Sequence, residues 1–147
     1  MDELKLFNDS NKPNQKEKQE IIEFLYHHLE NFGDLKEDIQ KAVEYALKET
    51  NSFGGFVLQS FDEGKISCIV VVNKTGMNGY IPENILVYIA THNELRGRGI
   101  GKKMMLKAIE IAEGNIALHV EPNNPARFLY EKIGFTNKYL EMRFIKK

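Results

Sequence analysis

The sequence predicts one mixed α/β domain, on three observations. Apolar residues recur at helical spacing early in the chain, give way to Val- and Ile-rich strand-like runs, and then alternate between the two patterns. Elements in that order form one sheet covered by helices. The length, 147 residues, is that of a single domain and allows a core without disulfides or metal.

Leu4 to Phe7 reads as a short first strand, and polar Asn8 to Lys18, with Pro13, as a loop running into a helix. Ile21, Ile22, Leu25, Leu29 and Phe32 share one helical face, so Lys16 to Glu30 is the first helix, ended by Gly33. Asp34 with Glu37 three residues on has the form of a capping box. Leu35, Ile39, Val43 and Leu47 make the second helix. Gly55–Phe61 and Lys65–Asn73 read as a hairpin across Asp62-Glu63-Gly64. A loop from Asn73 to Pro82 leads to Ile85–Thr91, apolar on both faces and so expected at the centre of the sheet. Gly99 to Glu113 is the third helix, stopped by Gly114, and Ile116–Val120 a further strand. Asn124 caps a short helix with Pro125 at its first position. Gly134 ends that helix and Phe135 packs back on it. Lys138 to Ile145 is the expected last strand.

Composition excludes several classes. The longest apolar run, Ile85 to Ala90, is far short of the about 20 residues of a membrane span. The N-terminus is too polar for a secretory leader, so the expected location is cytoplasmic. One cysteine, Cys68, excludes an internal disulfide and a thiolate zinc cluster, and no metal is expected. Its place in Cys68-Ile-Val-Val-Val72 makes it a core residue. Lys and Arg number 20 against 21 Asp and Glu, but residues 1–80 carry a net −5 and residues 81–147 a net +4. The basic half suits an anionic ligand. It is too weakly basic for a dedicated nucleic-acid binder.

The basic charge gathers at Arg96-Gly97-Arg98-Gly99-Ile100-Gly101-Lys102-Lys103, between an apolar strand and an amphipathic helix. Glycines there let an anion approach the backbone N–H groups at the positive end of the helix. A phosphate or pyrophosphate site follows, with a plain tight turn as the alternative. A P-loop is excluded, because three residues separate Gly97 from Gly101 and Lys102 is followed by Lys103 rather than Ser or Thr. A dinucleotide fingerprint is excluded because Gly101 stands one residue too close to Gly99.

Arg96-x-x-Gly99-x-Gly101 resembles the pyrophosphate loop of the GNAT superfamily of N-acetyltransferases. Asn123-x-x-Ala126-x-x-x-Tyr130-x-x-x-Gly134-Phe135 resembles the second cofactor motif of that superfamily, one helix and one strand downstream. Together they span Ile85 to Phe135. The resemblance implies a central, mostly antiparallel sheet with a splayed strand pair and about four flanking helices, as one domain over residues 1–147. It implies acetyl-CoA as co-substrate and a small-molecule or peptide amine as acceptor, with no nucleic-acid or membrane partner. Monomer and homodimer both stay open.

By the same resemblance the pantetheine arm would lie along Ile89, Ala90 and Thr91, with an N–H of Ile89 or Ala90 on the thioester oxygen. Arg96, Gly97, Arg98, Gly99, Ile100, Gly101 and Lys102 would hold the pyrophosphate, and Asn123 and Ala126 the cofactor arm. Tyr130 would protonate the leaving thiolate, as a phenol still protonated at neutral pH can. An ammonium acceptor must lose a proton before attack. Glu83, His119 or a water chain could take it, Glu83 being the preferred catalytic candidate. His92 would shape a turn, and His27 and His28 would sit at the rim. Phe24 and Phe32 are expected in the core and Tyr80 in the acceptor pocket, whose amine the acidic half would favour. Thr91 and Asn93 replace the Val and Pro common in the superfamily, which alters the local turn. Two other readings compete: a non-catalytic acyl-CoA sensor and a small nucleic-acid-binding domain.

Overall fold

In a computed structural model describing residues 3–147, five strands form one sheet in the order β1-β2-β3-β4-β5. They are β1 (Glu3–Phe7), β2 (Gly55–Asp62), β3 (Lys65–Lys74), β4 (Asn84–Thr91) and β5 (Ile116–Leu118). The first four pair antiparallel and β5 joins β4 in parallel. The helices are α1 (Gln15–His28), α2 (Lys36–Ala46), α3 (Ile100–Ile111) and α4 (Ala126–Ile133), with single 3-10 turns at Glu30–Phe32 and Asn93–Leu95.

The two sheet faces carry separate cores, and alternation along β3 supplies both. Ile69 and Val71 point to the side of α1 and α2, with Ile21, Leu25, Ile39 and Val43. Cys68, Val70 and Val72 point to the side of α3 and α4, with Ile100, Met104 and Tyr130. Cys68 to Val72 are wholly buried, so the middle of the sheet is β3 rather than the expected Ile85–Thr91 strand.

The register of β3 on β4 slips once, between Val71 and Val72. Val71 faces Tyr88 while Val72 faces Leu86, so Val87 is an extra residue. Such a bulge reverses which side chains face which layer. Leu86 lies in the α3-side core, while Tyr88 and Ala90 lie in the α1-side core. Ile89 is thereby returned to the α3 side.

Helix ends follow local chemistry. Asn14 caps α1 through a full capping box: its side chain accepts from the Glu17 N–H at 2.8 Å and the Glu17 carboxylate accepts from the Asn14 N–H at 2.9 Å. The expected box at Asp34 does not form. Leu35 stands at the N-cap of α2 without a side-chain bond, because the Asp34 carboxylate accepts from the Tyr88 hydroxyl at 2.5 Å. Phe32 falls in a 3-10 turn and is 38% exposed, not in the core. Residues 136–147 form neither helix nor strand, so the last expected strand, Lys138–Ile145, is not paired within this chain.

Asn84, almost fully buried, ties the start of β4 to the end of α3. Its Nδ2 donates to the Glu113 carbonyl at 2.7 Å and its backbone N–H to the Asn115 carbonyl at 3.1 Å. Asn84→Ala removes the hydrogen bond to the Glu113 carbonyl and the packing of a buried side chain, which should cost about 1–2 kcal/mol. A thermal midpoint lowered by about 5 °C is expected in calorimetry.

Candidate active site

The β4–β5 ladder covers only Asn84–Leu86 against Ile116–Leu118. Beyond Leu86, β4 runs on to Thr91 paired with β3 alone, and a gap opens on its other side. The His92 N–H donates to the Ser67 carbonyl at 2.8 Å. In an antiparallel ladder bonded and non-bonded pairs alternate. Ala90 is then in a bonded pair with Ile69, and the peptide groups of Ile89 and Thr91 turn into the gap. Of the two expected donors, the ladder therefore leaves the Ile89 N–H free and uses that of Ala90.

The gap ends at the glycine stretch. Gly97 and Gly99 have φ of 82° and 78°, the left-handed region that glycine enters without cost. A Cβ built on either would meet nothing within 4 Å, so backbone conformation and open space, not packing, call for glycine there. At Gly101 a Cβ would touch Thr91 Oγ1 and Leu129 Cδ2. Gly99 is the N-cap of α3 without a side-chain cap, and the first helical bond runs from the Lys103 N–H to the Gly99 carbonyl. The N–H groups of Ile100, Gly101 and Lys102 precede it and have no helical partner. A cavity of about 210 Å³ lies over them, lined by Thr91, Leu95, Arg96, Gly99, Gly101 and Leu129 among others. No acidic residue stands in the first turn of α3, and Arg98, Lys102 and Lys103 hold no ion pair among those of the described residues. A space that a Cβ would begin to fill, orphan N–H donors and three free cations fit a pyrophosphate.

Arg96 is engaged elsewhere. Its Nη2 donates to the His28 carbonyl at 2.8 Å and its Nη1 lies 3.5 Å from Glu30 Oε1. His28, expected at the rim, is buried. Its Nδ1 accepts from the Asn93 N–H at 3.2 Å, which leaves the proton of the neutral ring on Nε2. Its ring packs between Phe24 and His92, with centroids 4.4 and 4.3 Å away. The end of α1 is thus bound to the turn that leads into the glycines. Helical spacing from Ile21 through Leu25 to His28 was the signal that puts this ring inside.

Tyr130 is buried on α4 beside Cys68, Val70 and Met104. The Gly134 and Phe135 N–H groups both return to its carbonyl, at 3.2 and 3.0 Å, and the Phe135 ring stands 6.1 Å from its own. Burial, with the Cys68 thiol second, pushes its pKa up to about 12. The phenol therefore keeps its proton at neutral pH. Cys68 is itself wholly buried, with its Sγ accepting from Thr91 Oγ1 at 3.7 Å, and burial raises its pKa to about 12. Asn123 is exposed in the turn before α4, and Ala126 begins that helix, its N–H bonded to Asn124 Oδ1 at 2.9 Å.

Glu83 is not brought to this site. It precedes β4, while the glycines follow the other end, roughly 25 Å along the strand. Its Oε1 accepts from the Asn115 N–H at 2.7 Å and its Oε2 from the Gly79 N–H at 3.2 Å. Those bonds hold its pKa below the usual carboxylate value. Tyr80 stands exposed at the same far end, away from any pocket beside the glycines. His119, exposed just after β5, continues the parallel register to the level of Val87, near Ile89. Among the described residues no group of three His, Cys, Asp or Glu could hold a metal ion, and no helix is long and apolar enough to cross a membrane.

A model of the acetyltransferase (GNAT) family matches residues 14–135. No protein of curated function matches the chain. Among solved structures, a putative acetyl transferase from Pyrococcus furiosus is similar at 21% identity and a TM-score of 0.66, over 98% of this chain and all of that one. An aminoglycoside N-acetyltransferase, AAC(6')-Iy, solved with CoA, is similar at 12% identity and 0.68, over 99% and 95%. A transcriptional regulator from Bacillus halodurans is similar at 19% identity and 0.67, over 97% and 100%. At these identities the likeness speaks to the fold.

The setting of His28 generates a pH dependence. Burial first, and then His92, His27 and Arg96, lower its pKa from 6.5 to about 4. The unfolded chain therefore takes up the proton first, and stability present above pH 6.5 is lost as pH falls towards 4. Allowing for solvent screening, the loss between pH 7 and 5 should be about 1 kcal/mol, or about 3 °C in midpoint. His28→Gln should flatten that slope in thermal scans across the same range.

Proposed function

From the premise that this chain belongs to the acetyltransferase (GNAT) family, we propose that it is an acetyl-CoA-dependent N-acetyltransferase acting by direct attack of a primary amine. The observation that carries this reading is the gap beside β4: unpaired peptide groups at Ile89 and Thr91 lead to a glycine cradle at the N-terminus of α3.

Acetyl-CoA would supply the acyl group already activated as a thioester. The N–H groups of Ile100, Gly101 and Lys102, with Gly97 and Gly99 giving room, would hold its pyrophosphate, and the Arg98, Lys102 and Lys103 side chains would neutralise it. Thr91 would line the path of the pantetheine arm. Asn123 and Ala126 would border it from the α4 side. The Ile89 N–H would donate to the thioester oxygen, where negative charge grows during attack. Tyr130 would give its phenolic proton to the departing sulfur. Its raised pKa makes it a weaker acid than a free phenol, so the transfer belongs late, after charge has built on sulfur. The ammonium proton of the acceptor would leave through His119 or a water chain. Glu83 takes no part. A cationic amine, small or peptidic, suits the acidic N-terminal half.

A second reading, a CoA-binding sensor without turnover, gains from the fixed carboxylate of Glu83, which removes one candidate base. Saturating acetyl-CoA, at about a hundred times its dissociation constant, should raise the thermal midpoint by about 10 °C while ATP and NAD do not. Tyr130→Phe should keep that shift and lower kcat about 100-fold with an accepted amine. Glu83→Gln should leave kcat within about threefold. A shift without turnover of any amine would favour the sensor. No shift at all would overturn both.

A further inference from the structure

Asn93 stands where the superfamily commonly has proline, a residue with no N–H to donate. Here that N–H is used. It donates to Nδ1 of His28 at 3.2 Å, on an element far away in the chain. The next N–H of the same turn, that of Glu94, donates to Nδ1 of His92 at 3.1 Å. His92 is thereby the N-cap of the 3-10 turn Asn93–Leu95. Two imidazoles with centroids 4.3 Å apart accept from two successive N–H groups.

That turn aims the glycine cradle. The Leu95 N–H closes it on the His92 carbonyl at 2.8 Å, and Leu95, Arg96 and Gly97 go on to line the cavity over the N-terminus of α3. Arg96 repeats the attachment through the His28 carbonyl and the Glu30 carboxylate. Glu30 holds a φ of 53°, a left-handed backbone that a glutamate rarely adopts, so the chain bears strain where it meets Arg96.

An imidazole accepts only at an unprotonated nitrogen. Once protonated, either ring carries a hydrogen on Nδ1 that points at the N–H it had held. The charged groups around the pair add to this. A proton on His28 meets His92 and Arg96 from the turn and His27 from α1, with Glu30 alone in its favour, while Glu94 Oε1 lies 4.0 Å from His92 Nε2. Burial first, and then those cations, give His28 the lowered pKa already described, the direction that a ring held neutral by its setting requires.

We propose that His28 and His92 are positioning residues for the cofactor: as neutral rings they hold the turn that aims the cradle, so acetyl-CoA affinity falls when either takes up a proton. Neither ring touches the cofactor. Both act through the backbone of Asn93 and Glu94. The inference rests on the acetyl-CoA reading given above. It adds that cofactor binding and proton release from this pair are linked, with affinity present at neutral pH and lost on acidification.

Titration calorimetry with acetyl-CoA at pH 7.5 and pH 5 tests it. The comparison is His28→Asn/His92→Asn, in which each Oδ1 stands where Nδ1 does and accepts at either pH. The double variant should bind within about threefold of the unaltered chain at pH 7.5, and the unaltered chain should lose at least about fivefold more affinity at pH 5. Groups common to both chains, the phosphates of acetyl-CoA included, cancel in that comparison. If the double variant fails to fold, nitrogen NMR of the imidazoles in the unaltered chain decides. Acetyl-CoA should move the titration of both rings to lower pH, by reciprocity, whereas an anion acting by charge alone would move it higher. Binding at pH 7.5 with equal losses in the two chains would overturn this inference and leave the transferase reading standing, as would rings that titrate unchanged or higher with acetyl-CoA. No binding by the unaltered chain at pH 7.5 would overturn both.

Discussion

A parallel ladder that stops after three residue pairs is the constraint on which the rest of the site depends. Had β5 followed β4 to Thr91, the peptide groups of Ile89 and Thr91 would bond to it and be spent on the sheet. Because it stops at Leu118, they stay available beside the ladder. The bulge at Val87 sets what accompanies them. It sends Tyr88 and Ala90 into the α1-side core and leaves Ile89 and Thr91 on the side of α3 and α4, where Gly101 and Tyr130 also lie. The Thr91 side chain, Gly101 and Tyr130 therefore share the α3 side of the sheet, beside the gap into which the Ile89 and Thr91 peptide groups turn.

The two faces of the sheet are otherwise separate, each with its own core. They are joined near the site by side chains. Arg96 reaches from the glycine turn to the carbonyl of His28, and the His28 ring accepts from Asn93. Tyr88 reaches from β4 to Asp34, between α1 and α2. The Arg96 bond runs from the glycine turn to the end of α1, while the Tyr88 bond lies within the α1-side layer and ties β4 to the start of α2. A displacement of α1 is thereby resisted at the turn that leads into the cradle.

Much of this was legible in the residues. Helical and strand patterns, with caps and stops at Pro125 and Gly134, pointed to the four helices and five strands of the described residues but not to the 3-10 turns at Glu30–Phe32 and Asn93–Leu95. The glycines announced their backbone, since few other residues accept φ near 80°. The end of α4 was legible as well, with Gly134 stopping it and Phe135 packing back on Tyr130. What failed concerned ends and partners rather than elements. Asp34 has the spacing of a cap, but a tyrosine 54 residues away takes its carboxylate. Glu83 adjoins β4 in sequence, but at the end away from the glycines. Arg96 belongs to the loop motif, yet its guanidinium turns to α1. The strand period of Lys138–Ile145 was readable, but whether a strand pairs depends on a neighbour that the period does not encode.

The burial of Cys68 has a practical consequence. It is the only cysteine of the chain, it lies wholly out of water, and its proton is held to about pH 12. A thiol held protonated and out of reach is a poor nucleophile towards disulfide reagents. The native protein therefore contributes almost no background to a colorimetric titration of sulfhydryl groups. Any colour that develops in such a titration comes from the small molecules in the cuvette, and a sudden rise in protein-derived colour would report unfolding of the α3-side core.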